Sequence, residues 1–493
     1  MRVLDLSGSR GLKDGDLSAL EGLTALTGLS LRCCTDVTGE GLWHLPRTVT
    51  HLDLSGCPRM DSSAAGPLAR LQLAELRLRR CFRVTSAVLQ AVVPHSILGL
   101  VALDVGFTSA GPGAVELLRR AADAGLLGNL RELGLARAGF EPEDAGVLRR
   151  AVGSVVTLDL ERNGEVADSD FLRELLRGAG GGALRRLNLA GTAVSVRLFE
   201  GEDALVLAAL GGLRMINLDS CPSVSDAMVA GLVRVSPWLE EVCLEDTPIS
   251  GLGLRGVGRN EGEEVTRWSG VKAGAWTKMR RLCLNFTRVD DDCAEHIAKM
   301  SMLEVLELDV PGITDTALAE IVDGSRGLKN LYRLDLSNAK ISDDGLAEVS
   351  KLTALEELEI CSGLVTDAGV KHLEPLRNLR VLNLANNRIT EESMKQLFPL
   401  KIGAENSAEV LHPHLRTLNL SFTQISGTHL VNALREGAAC ALSYLSVTGC
   451  ELSASVRRML QEEVGQLAGP RSSDDYVGPE KKVLVFGVEV RDE

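Results

Sequence analysis

The sequence predicts an α/β solenoid: a parallel sheet lining a concave face, helices on the convex side, and about seventeen stacked copies of one unit. Three observations carry this expectation. The pattern L-x-x-L-x-L recurs along most of the chain. Inside each copy an alternating apolar–polar stretch gives way to helical spacing. Aromatic residues are only 3% of the 493, so the core is aliphatic and repeated rather than one globular centre.

The copies begin at Met1, Leu26, Val49, Leu73, Leu100, Leu130, Val155, Leu184, Leu213, Leu239, Met279, Leu303, Leu331, Leu355, Leu379, Leu415 and Leu442, mostly 23 to 30 residues apart. The first part of each, such as "LTGLSL" from Leu26 or "LRVLNL" from Leu379, alternates and predicts a short strand. A tight stretch follows, then a helix-start signal such as Val224-Ser225-Asp226, Ile313-Thr314-Asp315, Ile341-Ser342-Asp343 or Val365-Thr366-Asp367. There the hydroxyl accepts from free backbone N–H groups, and the acid suits the positive end of the helix dipole. Apolar residues at helical spacing complete the copy, as from Asp343 to Leu352. Strands stack about 4.8 Å apart and helices are about 10 Å across, so one of each per copy bends the array into an arch.

Three residues after the last strand leucine stands a recurring small polar residue: Cys34, Cys57, Cys81, Asn163, Cys221, Asn387 and Cys450 among others, with Thr in several copies. These side chains are expected to bind backbone groups where the chain turns, and turn amides in particular. On these residues the chain resembles the leucine-rich repeat family, nearest to its cysteine-containing and ribonuclease-inhibitor-like subclasses, over about Met1 to Leu460. "LRMINLDSCPSVSDAMVAGL", Leu213 to Leu232, is the stretch most similar to the family pattern. The solenoid is expected over 1–465, with long insertions near 255–278 and 401–414. A linker and possible capping strand follow over 466–493.

Chemistry is scarce. Cys33-Cys34 is adjacent rather than spaced as C-x-x-C, so no metal is expected. Cys293 and His296 lie one helical turn apart, but in an ordinary repeat helix. "GLGLRG", Gly251 to Gly256, lacks the βαβ setting of a dinucleotide loop. No cofactor and no catalytic role are expected. A net charge of −14 disfavours nucleic acid and anionic membrane as partners. No secretory signal is visible at Met1, and eleven cysteines without one point to reduced thiols in cytoplasm or nucleus.

Binding residues are therefore sought on the concave face. The residue between the last two leucines is acidic in seven copies and Asn in four, so a partner there would present Lys or Arg. Arg77 interrupts that line, and with Arg32, Arg79, Arg80, Arg137 and Arg162 it predicts a basic spot for a phosphate or acidic peptide. The competing expectation is that Asp53 and Asp104 neutralise Arg77. Farther on, Glu241, Glu245, Asp246, Glu307, Asp309, Asp335, Glu357 and Glu359 predict an acidic half suited to a basic segment. Phe107, Phe286 and Phe422 sit at strand exits. Arg131, Arg185, Arg214, Arg280, Arg380 and Arg416 read as a solvated edge stripe. Trp268 and Trp276, in the first insertion, are a candidate docking element.

The function expected is a non-enzymatic protein-interaction scaffold. An alternative is substrate recognition in a ubiquitin ligase, because the repeats are similar to those of F-box/leucine-rich-repeat proteins. No F-box is visible, so that role would require separate cullin-ligase components.

Overall fold

The computed structural model describes residues 1–96, 99–139, 141–164, 168–199, 203–255, 257, 276–323, 328–361, 363–400, 411–439 and 441–467. Trp268, most of the first insertion, residues 401–410 of the second and the C-terminal segment from 468 lie outside them. The chain forms two compact units, one over Met1–Pro248 and one starting at Ile249.

Each three-residue strand is centred on the second residue of an L-x-x-L-x-L triad. The first unit holds β1 (Val3–Asp5), β2 (Gly28–Ser30), β3 (His51–Asp53), β4 (Glu75–Arg77), β5 (Ala102–Asp104), β6 (Glu132–Gly134), β7 (Thr157–Asp159), β8 (Arg186–Asn188), β9 (Met215–Asn217) and β10 (Glu241–Cys243). The second holds β11 (Arg281–Cys283), β12 (Val305–Glu307), β13 (Arg333–Asp335), β14 (Glu357–Glu359), β15 (Val381–Asn383), β16 (Thr417–Asn419) and β17 (Tyr444–Ser446). Within a unit, consecutive strands pair in parallel and in register, as Leu103 with Leu133 or Leu334 with Leu358. Both units are thus α/β solenoids, and together their described residues hold seventeen copies. The central leucines are at most about 3% exposed from Leu29 on. Each such burial stabilises by roughly 1.5–3 kcal/mol, which is what defines the register.

Where the strand ends, the chain must turn toward the helix. In all ten copies of the first unit the residue two beyond the last strand leucine has a left-handed backbone, for example Gly8 (φ 71°), Arg80 (62°), Phe107 (55°), Arg137 (47°) and Gly191 (65°). This conformation aims its N–H at a carbonyl of the next copy, as from Arg80 to Gly106 at 2.8 Å and Phe107 to Ala136 at 2.7 Å. Glycine adopts it freely, whereas other residues give up about 1–2 kcal/mol.

The helix starts hold a second ladder, which modifies the dipole expectation. The acid after the capping residue accepts from the next copy. Asp291 takes the Thr314 amide (2.8 Å) and hydroxyl (2.5 Å), and Asp343 takes those of Thr366 (2.8 and 2.6 Å). Asp315 serves Ser342 in the same way, and Asp367 serves Thr390 and Ser393. Ser342 and Thr366 also cap their own helices, whereas Ser225 makes no side-chain cap. Glycine makes room for this contact: a Cβ on Gly369 would stand 2.2 Å from the Asp343 carboxylate. In the second insertion, His412 is buried with Nδ1 3.2 Å from the Leu376 carbonyl, and burial pushes its pKa down.

Candidate functional site

The recurring small polar residues bond backbone groups of neighbouring copies. The thiols of Cys57, Cys81, Cys221 and Cys450 each donate, at 3.1 Å, to the last strand carbonyl of the preceding copy, and Cys34 does so at 3.2 Å. They donate to carbonyls, and turn N–H groups of the preceding copy, such as that of Cys34 at Cys57 and that of Thr192 at Cys221, face their sulfurs. Asn163 does both: its amide nitrogen donates to Leu135 and Leu160, and its oxygen accepts from the Ala138 N–H. Asn387 donates to Ile360 and Leu384. Burial pushes the Cys57 thiol up to about 12 and the Cys81 thiol to about 11, so neither offers a thiolate at neutral pH. Cys293 is wholly buried and its thiol is pushed up to about 12, leaving no nucleophile for His296 to serve. Cys33, by contrast, is exposed. Brief maleimide treatment of the native protein is expected to modify Cys33 ahead of the buried thiols. Mass-spectrometric mapping that found Cys57 or Cys81 labelled at a similar rate would contradict these placements.

The acidic centre line has a structural origin that the sequence reading missed. Every Asp and Asn at that position accepts from the N–H two residues on: Asp5, Asp53, Asp104, Asp159, Asn188, Asn217, Asp335, Asn383 and Asn419, at 2.8 to 3.2 Å. A short carboxylate or amide closes this turn. Glu307 and Glu359 stand in the same column without that duty.

The first unit resolves the basic spot into two parts. Arg77 is neutralised, though not by Asp53 and Asp104: its guanidinium bonds Glu75 and Glu132, each at 2.6 Å. Arg79 pairs with Asp159 and Glu161 and approaches Asp104 at 3.9 Å. Burial alone would lower the Arg79 pKa, but Asp159 and the other carboxylates outweigh it and raise it, whereas burial raises the pKa of Asp104 despite the guanidinium. A recess of about 140 Å³ lies over Gly134, walled by Arg77, Asp104, Glu132 and Asp159. Arg32, Arg80, Arg137 and Arg162 remain exposed at or beside the turns.

In the second unit the acidic residues do gather. Glu307, Asp335 and Glu359 are register partners on β12, β13 and β14. Arg333 sits among them, 3.7 Å from Glu307, 3.3 Å from Glu357 and 3.8 Å from Glu359, and Arg281 holds Glu307 at 2.9 Å. Burial, then the adjacent Glu359 and Asp309, raise the Asp335 pKa even though Ser337 donates to it. Asp309 takes the Asn338 side chain and backbone. In the first unit Glu241 lies 3.8 Å from Arg186, the Glu245 backbone N–H donates to the Asp219 carboxylate at 2.9 Å, and the Ser220 hydroxyl donates to Asp246 at 3.2 Å.

Each strand offers two open-face positions, before and after its central leucine, and in the first column the sequence pattern singled out Glu241 and Glu357 but not Arg281, Arg333, Glu75 or Glu132. The period of two names both. Trp276 is a correction: it is fully buried, so it is core and not a docking element. The arginine stripe is also engaged, with Arg131 and Arg185 donating to loop carbonyls of the next copy and Arg280 and Arg380 pairing with Glu304 and Glu356.

No described helix is long and apolar enough to cross a membrane, and no metal-holding group of His, Cys, Asp and Glu occurs among the described residues. A leucine rich repeat family model matches residues 327–350, 376–398 and 412–428. No curated protein sequence matches. Among solved structures, the chain is similar to an internalin, InlF, of Listeria monocytogenes, at 16% identity over 84% of this chain and 89% of that one (TM-score 0.40). It is similar to a leucine-rich repeat protein of Leptospira interrogans, at 15% over 94% of each (0.35). Mouse RP105, solved with MD-1, is matched at 13% over 89% of this chain and 70% of that one (0.42). With the repeating strand, turn and helix already in place, the matched stretches make the chain a leucine-rich repeat protein.

Proposed function

We propose that this protein is a non-enzymatic binding module that holds a basic segment of a protein partner against the open, concave face of its second unit. One observation carries the reading. Among the described residues, the carboxylates of Glu307, Asp335 and Glu359 on neighbouring, in-register strands, with Glu357 and Asp309 beside them, outnumber the guanidiniums of Arg281 and Arg333 that meet them. Like charges directly across a parallel pair destabilise the sheet. Glu307 and Glu359 close no turn, so local backbone chemistry does not account for them. A lysine or arginine entering beside Arg333 would relieve that repulsion, and carboxylate–cation hydrogen bonds are the stronger kind.

The test is anisotropy of a fluorescein-labelled Lys-Arg-Lys-Gly-Lys-Arg peptide against wild type and Asp335→Asn/Glu359→Gln. The double variant is expected to bind about tenfold more weakly, the loss of roughly 1.4 kcal/mol of charge-assisted contact. The same Asp335→Asn change is expected to stabilise the fold at pH 7. A carboxyl whose folded pKa is raised favours the fold below its unfolded value and loses that contribution as pH rises through the folded one. Its removal therefore relieves a cost at neutral pH, and the gain vanishes in acid. Equal peptide affinity in both proteins would sink the proposal. The ligase reading makes its own demand, a cullin adaptor co-purifying from native lysate, and fails without one.

A further inference from the structure

On the first unit, the left-handed turn position carries an unusual run. From β4 to β7, consecutive copies place Arg80, Phe107, Arg137 and Arg162 there, all at positive φ. Gly8, Gly56 and Gly191 hold the same position elsewhere in the unit without strain. Four adjacent copies thus retain large side chains where glycine fits better, and strain of this kind marks positions kept for another reason.

The side chains are available. Arg80 and Arg137 are exposed, and the Arg162 side chain is 70% exposed with Glu161 3.6 Å away. Among the described residues Arg137 has no carboxylate within ion-pair distance. Phe107 is half-buried, with the guanidiniums of Arg79 and Arg80 centred 5.1 and 5.8 Å from its ring. The nearby acids are already committed: Glu161 and Asp159 to Arg79, Glu75 and Glu132 to Arg77.

We infer that this rim is a second docking surface, for an extended acidic peptide segment of a protein partner in which carboxylates flank an apolar side chain. The apolar residue meets Phe107, and the carboxylates meet Arg80 on one side and Arg137 and Arg162 on the other. Strands lie about 4.8 Å apart, so the row spans about 15 Å, the length of roughly five extended residues. A longer polyanion fits poorly. Beyond the row it would meet a chain of net charge −14. The inference does not depend on the second unit's acidic face.

Fluorescein-labelled Asp-Glu-Leu-Glu-Glu-Asp, its Leu→Gly version and a labelled oligo-dT decamer are titrated by anisotropy into the full chain, into Arg80→Gly/Arg137→Gly/Arg162→Gly, and into Phe107→Gly. The arginine-to-glycine changes relieve the left-handed turn positions, so thermal stability of the triple variant is expected to be kept, and a thermal melt of each variant separates lost binding from lost fold. The leucine peptide is expected to bind wild type best. The triple variant should bind it about tenfold more weakly or worse, and Phe107→Gly should bind both peptides alike. No binding of the leucine peptide, equal binding by the triple variant, equal binding of both peptides by wild type, or tighter binding of oligo-dT would each overturn the inference. Basic-peptide binding by the second unit should be unaffected by these changes, so the two surfaces stand or fall separately.

Discussion

Asp367→Ala is expected to be among the most damaging single changes in the second unit, lowering its stability by about 3 kcal/mol at pH 7. The carboxylate accepts from the Thr390 amide (2.8 Å) and hydroxyl (2.7 Å), from the Ser393 amide (3.1 Å), and from the Ser393 hydroxyl. Alanine leaves two backbone donors at the start of the Glu391–Leu397 helix without that acceptor. Urea unfolding, with hydrogen exchange of that helix to localise the effect, measures the change. A loss under about 1 kcal/mol would show that water replaces the ladder at little cost. Acid titration adds an independent check. Burial by itself would raise the Asp367 pKa, but the Ser393 and Thr390 hydrogen bonds outweigh it and the net pKa is lowered. A depressed carboxyl contributes stability above its unfolded value, near 3.8, and that contribution is lost as pH falls through the folded value. The gap between wild type and variant should therefore hold from neutral pH down to about 4 and narrow below it.

Arg333→Ala should separate stability from binding. The arginine is the shared cation of Glu307, Glu357 and Glu359, and Glu307 is only 6% exposed. Stranding a buried carboxylate costs about 3–5 kcal/mol, but Arg281 stays on Glu307 and the Arg333 side chain is one-third exposed, so about 2 kcal/mol is expected. Affinity for the basic peptide should move the other way, rising several-fold at low salt and losing that gain at high salt. Lower stability with unchanged or weaker binding would mean that the acidic strands form a closed ion-pair network rather than a site.

The repeat was legible because it rests on local periodicity. Each L-x-x-L-x-L triad named its strand, since an alternating pattern has one way to bury its leucines. The chemistry of the turn was legible only in part. Small polar residues at Cys57, Cys81 and Asn163 announced a ladder. That a thiol both donates to a carbonyl and faces an N–H depends on which backbone groups the preceding copy presents. The difference between Asp and Glu in the centre line was visible in the letters, and its meaning follows from side-chain reach: Asp335 closes a 3.0 Å turn bond, whereas Glu359 extends past it to Arg333 and Asn383.

By itself, the sequence determined the fold class, the strand positions, the residues that line the open face and the aliphatic core, because all of these follow from spacing along the chain. Only the tertiary structure decided which charges remain available. Arg77 meets Glu132, 55 residues away, and Arg79 meets Glu161, 82 residues away. Trp276 disappears into the core, while Arg80, Phe107, Arg137 and Arg162 line up on one rim through a shared backbone conformation. Charge pairing and burial depend on distance across copies, and stacking sets that distance.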